Sequence, residues 1–120
     1  VNVVGEVEGR TALLVDDIIA TAGSIAEAAR ILKARGAARI IAAATHGIFC
    51  GPAVERLRQS PIEFIVVTDT IPLRPEVQSG LDIRILSVAG LLGEAIERIH
   101  SNRSVSALFD LDEEPASLEV

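Results

Sequence analysis

Four apolar runs of strand length recur along the sequence, and segments with helical spacing lie between them. Continuous apolar runs that end abruptly are typical of strands buried on both faces. After the first run, apolar residues recur at i, i+3, i+4 and i+7 from Ile25, and Gly36 is placed to end that helix. We therefore predict an α/β fold of three layers, a mainly parallel open sheet with helices on both faces. Its strands are predicted at residues 12–15, 39–44, 64–67 and 83–86.

The amino-acid composition argues against several classes of protein. Cys50 is the single cysteine, so no disulfide can form within the chain. The sequence shows no leader-like start and no long uncharged apolar run, so we expect a cytoplasmic protein that neither is secreted nor spans a membrane. A net charge of −6, with three Phe and no Tyr or Trp, argues against a nucleic-acid surface.

The acidity is concentrated at the end of the sequence. Five of the 17 acidic residues and none of the 11 basic residues lie in residues 110–120, so residues 1–109 carry a net charge of −1. We predict one domain over residues 1–109 and a disordered acidic tail over residues 110–120. Residues 1–9 alternate apolar and polar side chains, which predicts an edge strand.

One segment contains the residues best suited to bind a ligand. Asp16 and Asp17 follow the first apolar run, and residues 21–24 (TAGS) open the next helix. Backbone N–H groups, two hydroxyls and the positive end of a helix dipole suit a phosphate dianion. The carboxylates could accept hydrogen bonds from hydroxyls or hold a hydrated Mg²⁺. The implied ligand is a pentose 5-phosphate, bound by residues at the carboxyl ends of the strands, where loops are predicted to begin at Asp16, Thr45 and Thr68.

Two other interpretations compete with this one. Ser24 could simply cap a helix while the two aspartates end a strand. A phospho-acceptor receiver domain also opens with a strand ending in two acids, but it needs a lysine at a later strand end, and the single lysine, Lys33, falls on a predicted helix. His46, at the same edge, is interpreted as a structural hydrogen-bonding residue. Arg74 and Arg84 are assigned no role.

The chemistry-bearing segment also resembles a known family. Residues 15–24 (VDDIIATAGS) look like the phosphoribosyl-pyrophosphate motif that type I phosphoribosyltransferases share with ribose-phosphate pyrophosphokinase. Three further segments resemble, in order and spacing, the carboxyl-terminal domain of the pyrophosphokinase. They are residues 44–53 (ATHGIFCGPA), 67–72 (VTDTIP) and 104–109 (SVSALF).

The resemblance implies a reaction and a set of site residues. The C1 hydroxyl of ribose 5-phosphate would attack the β-phosphorus of Mg-ATP, giving phosphoribosyl pyrophosphate and AMP for nucleotide biosynthesis. Asp16 and Asp17 would contact the ribose hydroxyls, and Thr21, Ala22, Gly23 and Ser24 would hold the 5-phosphate. The resemblance further implies a homo-oligomer in which phosphate or ADP act as effectors. Their site would include Ser104, Ser106 and Phe109.

The sequence departs from the family pattern in two ways. The family commonly has a third aspartate where this chain has Ala20, which can bind neither a hydroxyl nor Mg²⁺. The family's Lys/Arg catalytic loop and its ATP and metal residues lie upstream of the matched segments. We therefore predict no catalytic residue and no metal ligand within this chain, and an isolated chain that is inactive. Two alternatives remain. The chain could be another phosphoribosyltransferase, or it could be a non-catalytic regulatory relative that binds phosphosugar or partner subunits.

Overall fold

The computed structural model describes residues 5–109, which divide into two compact units, one ending at Ser87 and the other beginning at Val88. The first unit alternates four strands and three helices, and the second contains one α-helix and one 3₁₀ turn. The first holds β1 (Thr11–Ile19), α1 (Gly23–Ala34), β2 (Arg39–Gly47), α2 (Ala53–Arg58), β3 (Phe64–Thr68), α3 (Pro75–Gly80) and β4 (Ile83–Leu86). The second holds α4 (Ala89–His100) and the 3₁₀ turn Ser106–Phe109.

The sheet is parallel throughout and its strand order is β1-β2-β3-β4. The register sets one row of side chains across all four strands: Leu14, Ala42, Ile65 and Ile83. The α/β class and the parallel sheet predicted from the apolar runs are confirmed. The helix that Gly36 was predicted to end does stop there, because α1 ends at Ala34 and Gly36 takes the left-handed conformation with φ 86°.

The three helices of the first unit share one face of the sheet. α1 contacts α2, and α2 contacts α3. Ile25, Leu57 and Val77 from these helices are buried in one cluster with strand residues such as Ala42 and Ile65. When strand order follows chain order, every right-handed crossover passes over the same face. The third layer of the predicted fold is therefore not formed by these helices.

Two strands continue further than their apolar runs suggested. β1 reaches Ile19 and β2 reaches Gly47, with Asp16 paired to Ala44 and Ile19 paired to Gly47. The prediction that loops begin at Asp16 and Thr45 is therefore wrong. The reason is that ladder hydrogen bonds join backbone groups, so two strands stay paired past the point where their side chains become polar. Helix α3, which follows Arg74, was not predicted either.

The described part of the amino-terminal segment is not a strand. Arg10 N donates to Val7 O at 3.1 Å in a turn, and Gly9, with φ 69°, donates to Gly36 O at 2.8 Å. The edge strand predicted over residues 1–9 is therefore wrong for residues 5–9, whereas residues 1–4 lie outside the described residues. The predicted acidic tail, residues 110–120, also lies outside them.

Within residues 5–109, no helix combines the length and the apolar character that crossing a bilayer requires.

Candidate functional site

The segment between β1 and α1 is a tight turn that opens a helix without a side-chain cap. Ala22 occupies the N-cap position in the left-handed conformation, with φ 59° and ψ 14°, and its side chain is buried. A non-glycine residue in this region is uncommon and costs conformational energy. The first intrahelical bond runs from Ala26 N to Ala22 O at 3.1 Å, so the earlier N–H groups have no acceptor within the helix. No side chain caps the helix, so the interpretation of Ser24 as a helix cap is wrong.

The two aspartates are consecutive residues within β1, and both are exposed. Asp16 Oδ1 accepts a hydrogen bond from Asp17 N at 2.9 Å. Asp16 pairs with the buried Ala44 and lines cavities that Ser24 and Ile25 of α1 also line. The structure therefore brings Asp16, rather than the pair, next to the helix-opening turn.

Two adjoining cavities connect Asp16 with that turn. A cavity of about 120 Å³ is formed by the residues that link β1 to α1, and a shallower one of about 250 Å³ runs along β1 and the first turns of α1. Asp16, Ser24 and Ile25 line both cavities. The first cavity is lined by Asp16, Ile18, Ile19, Ala20, Thr21, Ala22, Gly23, Ser24 and Ile25, so all four residues predicted to hold a phosphate meet there.

This edge suits Mg²⁺ only as a largely hydrated ion. Residues 5–109 contain no group of three or more His, Cys, Asp or Glu side chains placed to hold a metal. Mg²⁺ usually keeps several waters and takes one or two carboxylates together with substrate oxygens. Asp16 fits that role, whereas Asp17 lines neither of these two cavities. When bound, Mg²⁺ would neutralise phosphate charge.

Polar side chains join the next two strands at the same edge of the sheet. His46 Nδ1 and Thr70 Oγ1 lie 2.8 Å apart, and Thr68 Oγ1 donates to Thr45 O at 2.7 Å. These contacts agree with the interpretation of His46 as a structural hydrogen-bonding residue. The THG and TDT segments therefore hold the ends of β2 and β3 together beside the turn between β1 and α1.

Two arginines near the site were not identified from the sequence. Arg56 Nη1 donates to Thr21 O at 3.0 Å, and Arg74 Nη2 donates to Phe49 O at 2.5 Å. Arg74 had been assigned no role. Both contacts join residues far apart in the sequence, and no local spacing signals them. Arg84, also assigned no role, lies over the Phe64 ring, 3.7 Å from its centroid.

The predicted effector-site residues lie in the second unit. Ser104 Oγ and Ser106 Oγ are 2.6 Å apart, and Ser106 N donates to Ser104 Oγ at 3.2 Å. Arg98 Nη1 donates to Ser104 O at 3.2 Å, which ties this segment to α4. Phe109 ends the 3₁₀ turn with its ring exposed. The structure therefore places the three residues in one local group, and their effector role stays a prediction.

Comparison with known proteins identifies the relatives of this chain. The family model described as the phosphoribosyl synthetase-associated domain matches residues 1–110. A ribose-phosphate pyrophosphokinase from Chromobacterium violaceum is 51% identical over 109 residues, which are 91% of this chain and 33% of the relative. The pyrophosphokinase from Aquifex aeolicus is 53% identical over 108 residues, with 90% and 34% covered.

A solved structure agrees with these relatives. The crystal structure of phosphoribosylpyrophosphate synthetase from Mycobacterium smegmatis superposes with a TM-score of 0.78 at 38% identity, covering 82% of this chain and 33% of that one. The chain spans about a third of the length of the curated relatives it matches. It belongs to the phosphoribosyl synthetase-associated domain family, and its relatives in that family are ribose-phosphate pyrophosphokinases.

Proposed function

We propose that this chain is the ribose 5-phosphate-binding, carboxyl-terminal third of a ribose-phosphate pyrophosphokinase. The C1 oxygen of ribose 5-phosphate attacks the β-phosphorus of ATP, the bond from that phosphorus to the α–β bridging oxygen breaks, and AMP leaves with that oxygen. The hydroxyl proton is lost to a base or to water. The products are phosphoribosyl pyrophosphate and AMP. Mg²⁺ and ATP take part in the complete enzyme, which we propose is a cytoplasmic homo-oligomer.

The observation that supports the proposal most is the uncapped start of α1 next to Asp16. The N–H groups at this helix start have no side-chain partner, and the left-handed Ala22 turns the backbone around one cavity. Such N–H groups and the helix dipole favour a phosphate dianion. Asp16 lines the same cavity and accepts hydrogen bonds from hydroxyls of a bound sugar. One end of the site therefore suits phosphate and the other suits a hydroxylated ring.

The roles of the remaining predicted residues follow from this arrangement. Thr21 and Ser24 add hydroxyl donors for the 5-phosphate, and Gly23 lets the backbone approach it. Asp17, which lines neither cavity, contributes less to ribose binding than Asp16 does. Ser104, Ser106 and Phe109 keep the proposed effector role for phosphate or ADP. The carboxyl-terminal position rests on the order of the four motifs, and a natural chain that continues past Val120 into another domain of the enzyme would contradict it.

The binding site is tested by ligand-induced stabilisation of the chain. Ribose 5-phosphate at about 100 times its Kd should stabilise the folded state by roughly 2.7 kcal/mol. The change Asp16→Asn keeps the shape of the side chain but removes the charge, and we expect it to weaken binding by about tenfold or more. Thermal denaturation and isothermal titration calorimetry, each with and without ribose 5-phosphate, measure both effects.

Asp82→Asn is the matched control for this experiment. Asp82 is an exposed acid just before β4. It lies at the end of the sheet opposite the turn between β1 and α1, which we call the phosphate turn, so removing the Asp82 charge should leave binding unchanged. Ribose without phosphate should bind far more weakly than ribose 5-phosphate. A wild-type chain that shows no stabilisation, or equal losses for Asp16→Asn and Asp82→Asn, would rule out this site.

A further inference from the structure

Backbone N–H groups of the segment after β2 donate hydrogen bonds to the carbonyl groups where the phosphate turn begins. Ile48 N and Phe49 N both donate to Ile19 O, at 3.0 and 3.1 Å, and Cys50 N donates to Ala20 O at 2.9 Å. Phe49 is fully buried beneath the turn, in the left-handed conformation with φ 50°. Two successive carbonyls, those of the last residue of β1 and the first residue of the turn, are thereby bound by backbone N–H groups of one neighbouring segment.

The third successive carbonyl is bound by a side chain. Arg56, on α2, donates from Nη1 to Thr21 O at 3.0 Å. The same nitrogen lies 3.3 Å from the position that a Cβ on Gly23 would occupy, so the guanidinium covers the turn closely. Among the described residues Arg56 forms no ion pair. The turn is therefore in contact with a positive charge that no carboxylate of the described residues neutralises.

The direction of these contacts decides where the N–H groups of the turn point. In a trans peptide unit the carbonyl of one residue and the N–H of the next point in opposite directions. Because Thr21 O is held toward Arg56, the N–H of Ala22 is directed away from α2. An arrangement of successive N–H groups on one side of a turn forms a concave anion-binding site.

We propose that Arg56 is a positioning residue for the sugar-phosphate site. It orients the Thr21–Ala22 peptide unit toward the 5-phosphate, and its positive charge favours the binding of negative charge there. This inference rests on the proposed function, because it assumes that the turn binds a phosphate monoester. Arg56 acts on the ligand through the turn.

The test compares two arginines on the same short helix. Arg58 also lies on α2, is exposed, and donates from Nε to a backbone carbonyl, Gly80 O at 2.8 Å, away from the turn. Arg56→Ala should weaken ribose 5-phosphate binding by about tenfold or more, whereas Arg58→Ala should change it by less than about twofold. Arg56→Lys should give an intermediate loss, because the charge remains but the fixed guanidinium geometry is lost.

Chemical rescue separates positioning from a general loss of structure. Guanidinium chloride at millimolar concentration, far below denaturing levels, should restore part of the binding in Arg56→Ala and none in Asp16→Asn. Sodium chloride at equal ionic strength is the control. Binding in Arg56→Ala within twofold of the wild type, or a loss equal to that of Arg58→Ala, would overturn the proposal.

A measurement without ligand distinguishes this inference from the proposed function. Hydrogen exchange of the Ala22, Gly23 and Ser24 amides, followed by NMR in the free chain, should be faster in Arg56→Ala than in the wild type and unchanged in Arg58→Ala. If the wild type fails to bind ribose 5-phosphate, the proposed function fails by itself. Unchanged exchange in Arg56→Ala would show that Arg56 does not order the turn, whichever ligand the turn binds.

Discussion

At the scale of single residues, Gly47 is the position where the backbone of the site leaves least room. A Cβ built on Gly47 would lie 2.5 Å from Phe49 Cε2 and 3.1 Å from Val67 Cγ1, both shorter than normal contacts. The Phe49 ring cannot move freely, because it is fully buried and its N–H is bonded to Ile19 O. We expect Gly47→Ala to destabilise the fold by about 1–3 kcal/mol, measured by urea denaturation.

The control for Gly47→Ala is the same substitution in an open position. A Cβ on Gly93, within α4, meets no atom within 4 Å among the described residues. Replacing a helical glycine by alanine should stabilise the helix by about 0.5–1 kcal/mol. A Gly47→Ala chain that unfolds at the wild-type urea concentration would show that the Phe49 ring can move away from the added methyl group.

At the scale of elements, an ion pair joins the beginnings of β2 and β3. Arg39 Nε and Nη2 donate to the two carboxylate oxygens of Glu63 at 2.7 and 2.8 Å, and Glu63 N donates to Ile40 O at 2.8 Å. The hydrogen bond from Arg39 lowers the pKa of the Glu63 carboxyl, and the same bond raises the pKa of Arg39. Because both side chains are about half exposed, water screens part of the attraction.

The sign of the Glu63 shift predicts a dependence on pH. A carboxyl whose pKa is lower in the folded state stabilises that state at pH values above its unfolded pKa, and this stabilisation is lost as the pH falls through the folded pKa. The Tm difference between wild type and Glu63→Gln should therefore be largest near neutral pH and should vanish in acid. Arg39→Met and the double variant should show the same profile as Glu63→Gln. A Tm difference that stays constant with pH would contradict the pairing.

At the scale of the whole molecule, most of the cations that the structure describes are already engaged with other groups of the protein. Phosphoryl transfer depends mainly on positioning and on cations placed around the phosphates. The chain contains ten Arg and one Lys. Side chains bonded to carboxylates or to backbone carbonyls are those of Arg30, Lys33, Arg39, Arg56, Arg58, Arg74, Arg98 and Arg103. These contacts hold most of the basic side chains against other groups of the protein and not around a triphosphate.

We therefore expect this 120-residue chain, incubated with Mg-ATP and ribose 5-phosphate, to release no AMP above the blank. The Aquifex aeolicus ribose-phosphate pyrophosphokinase, assayed under the same conditions by chromatography of AMP, is the positive control. AMP formed in step with phosphoribosyl pyrophosphate, and abolished by Asp16→Asn, would show that the chain is a complete catalyst.

Part of the fold and site was predictable from local patterns alone. Apolar spacing predicted the alternation of strands and helices, and Gly36 predicted the end of one helix, because helical and strand periodicities are properties of neighbouring residues. The residues that form the phosphate turn were predicted in the same way, since small and hydroxyl-bearing residues before a helix suit an anion. The sequence by itself thus determined the class of fold and the position of the turn.

Only the tertiary structure decided how the site is built. Strand pairing carries β1 past Asp16, and the cavities at the turn between β1 and α1 are lined by Asp16 and not by Asp17, although the sequence places the two side by side. The contact of Arg56 with Thr21 spans 35 residues and arises because the crossovers bring α2 beside the turn. Ladder hydrogen bonds and side-chain contacts of this kind depend on which segments become neighbours in space, and local periodicity carries no information about that.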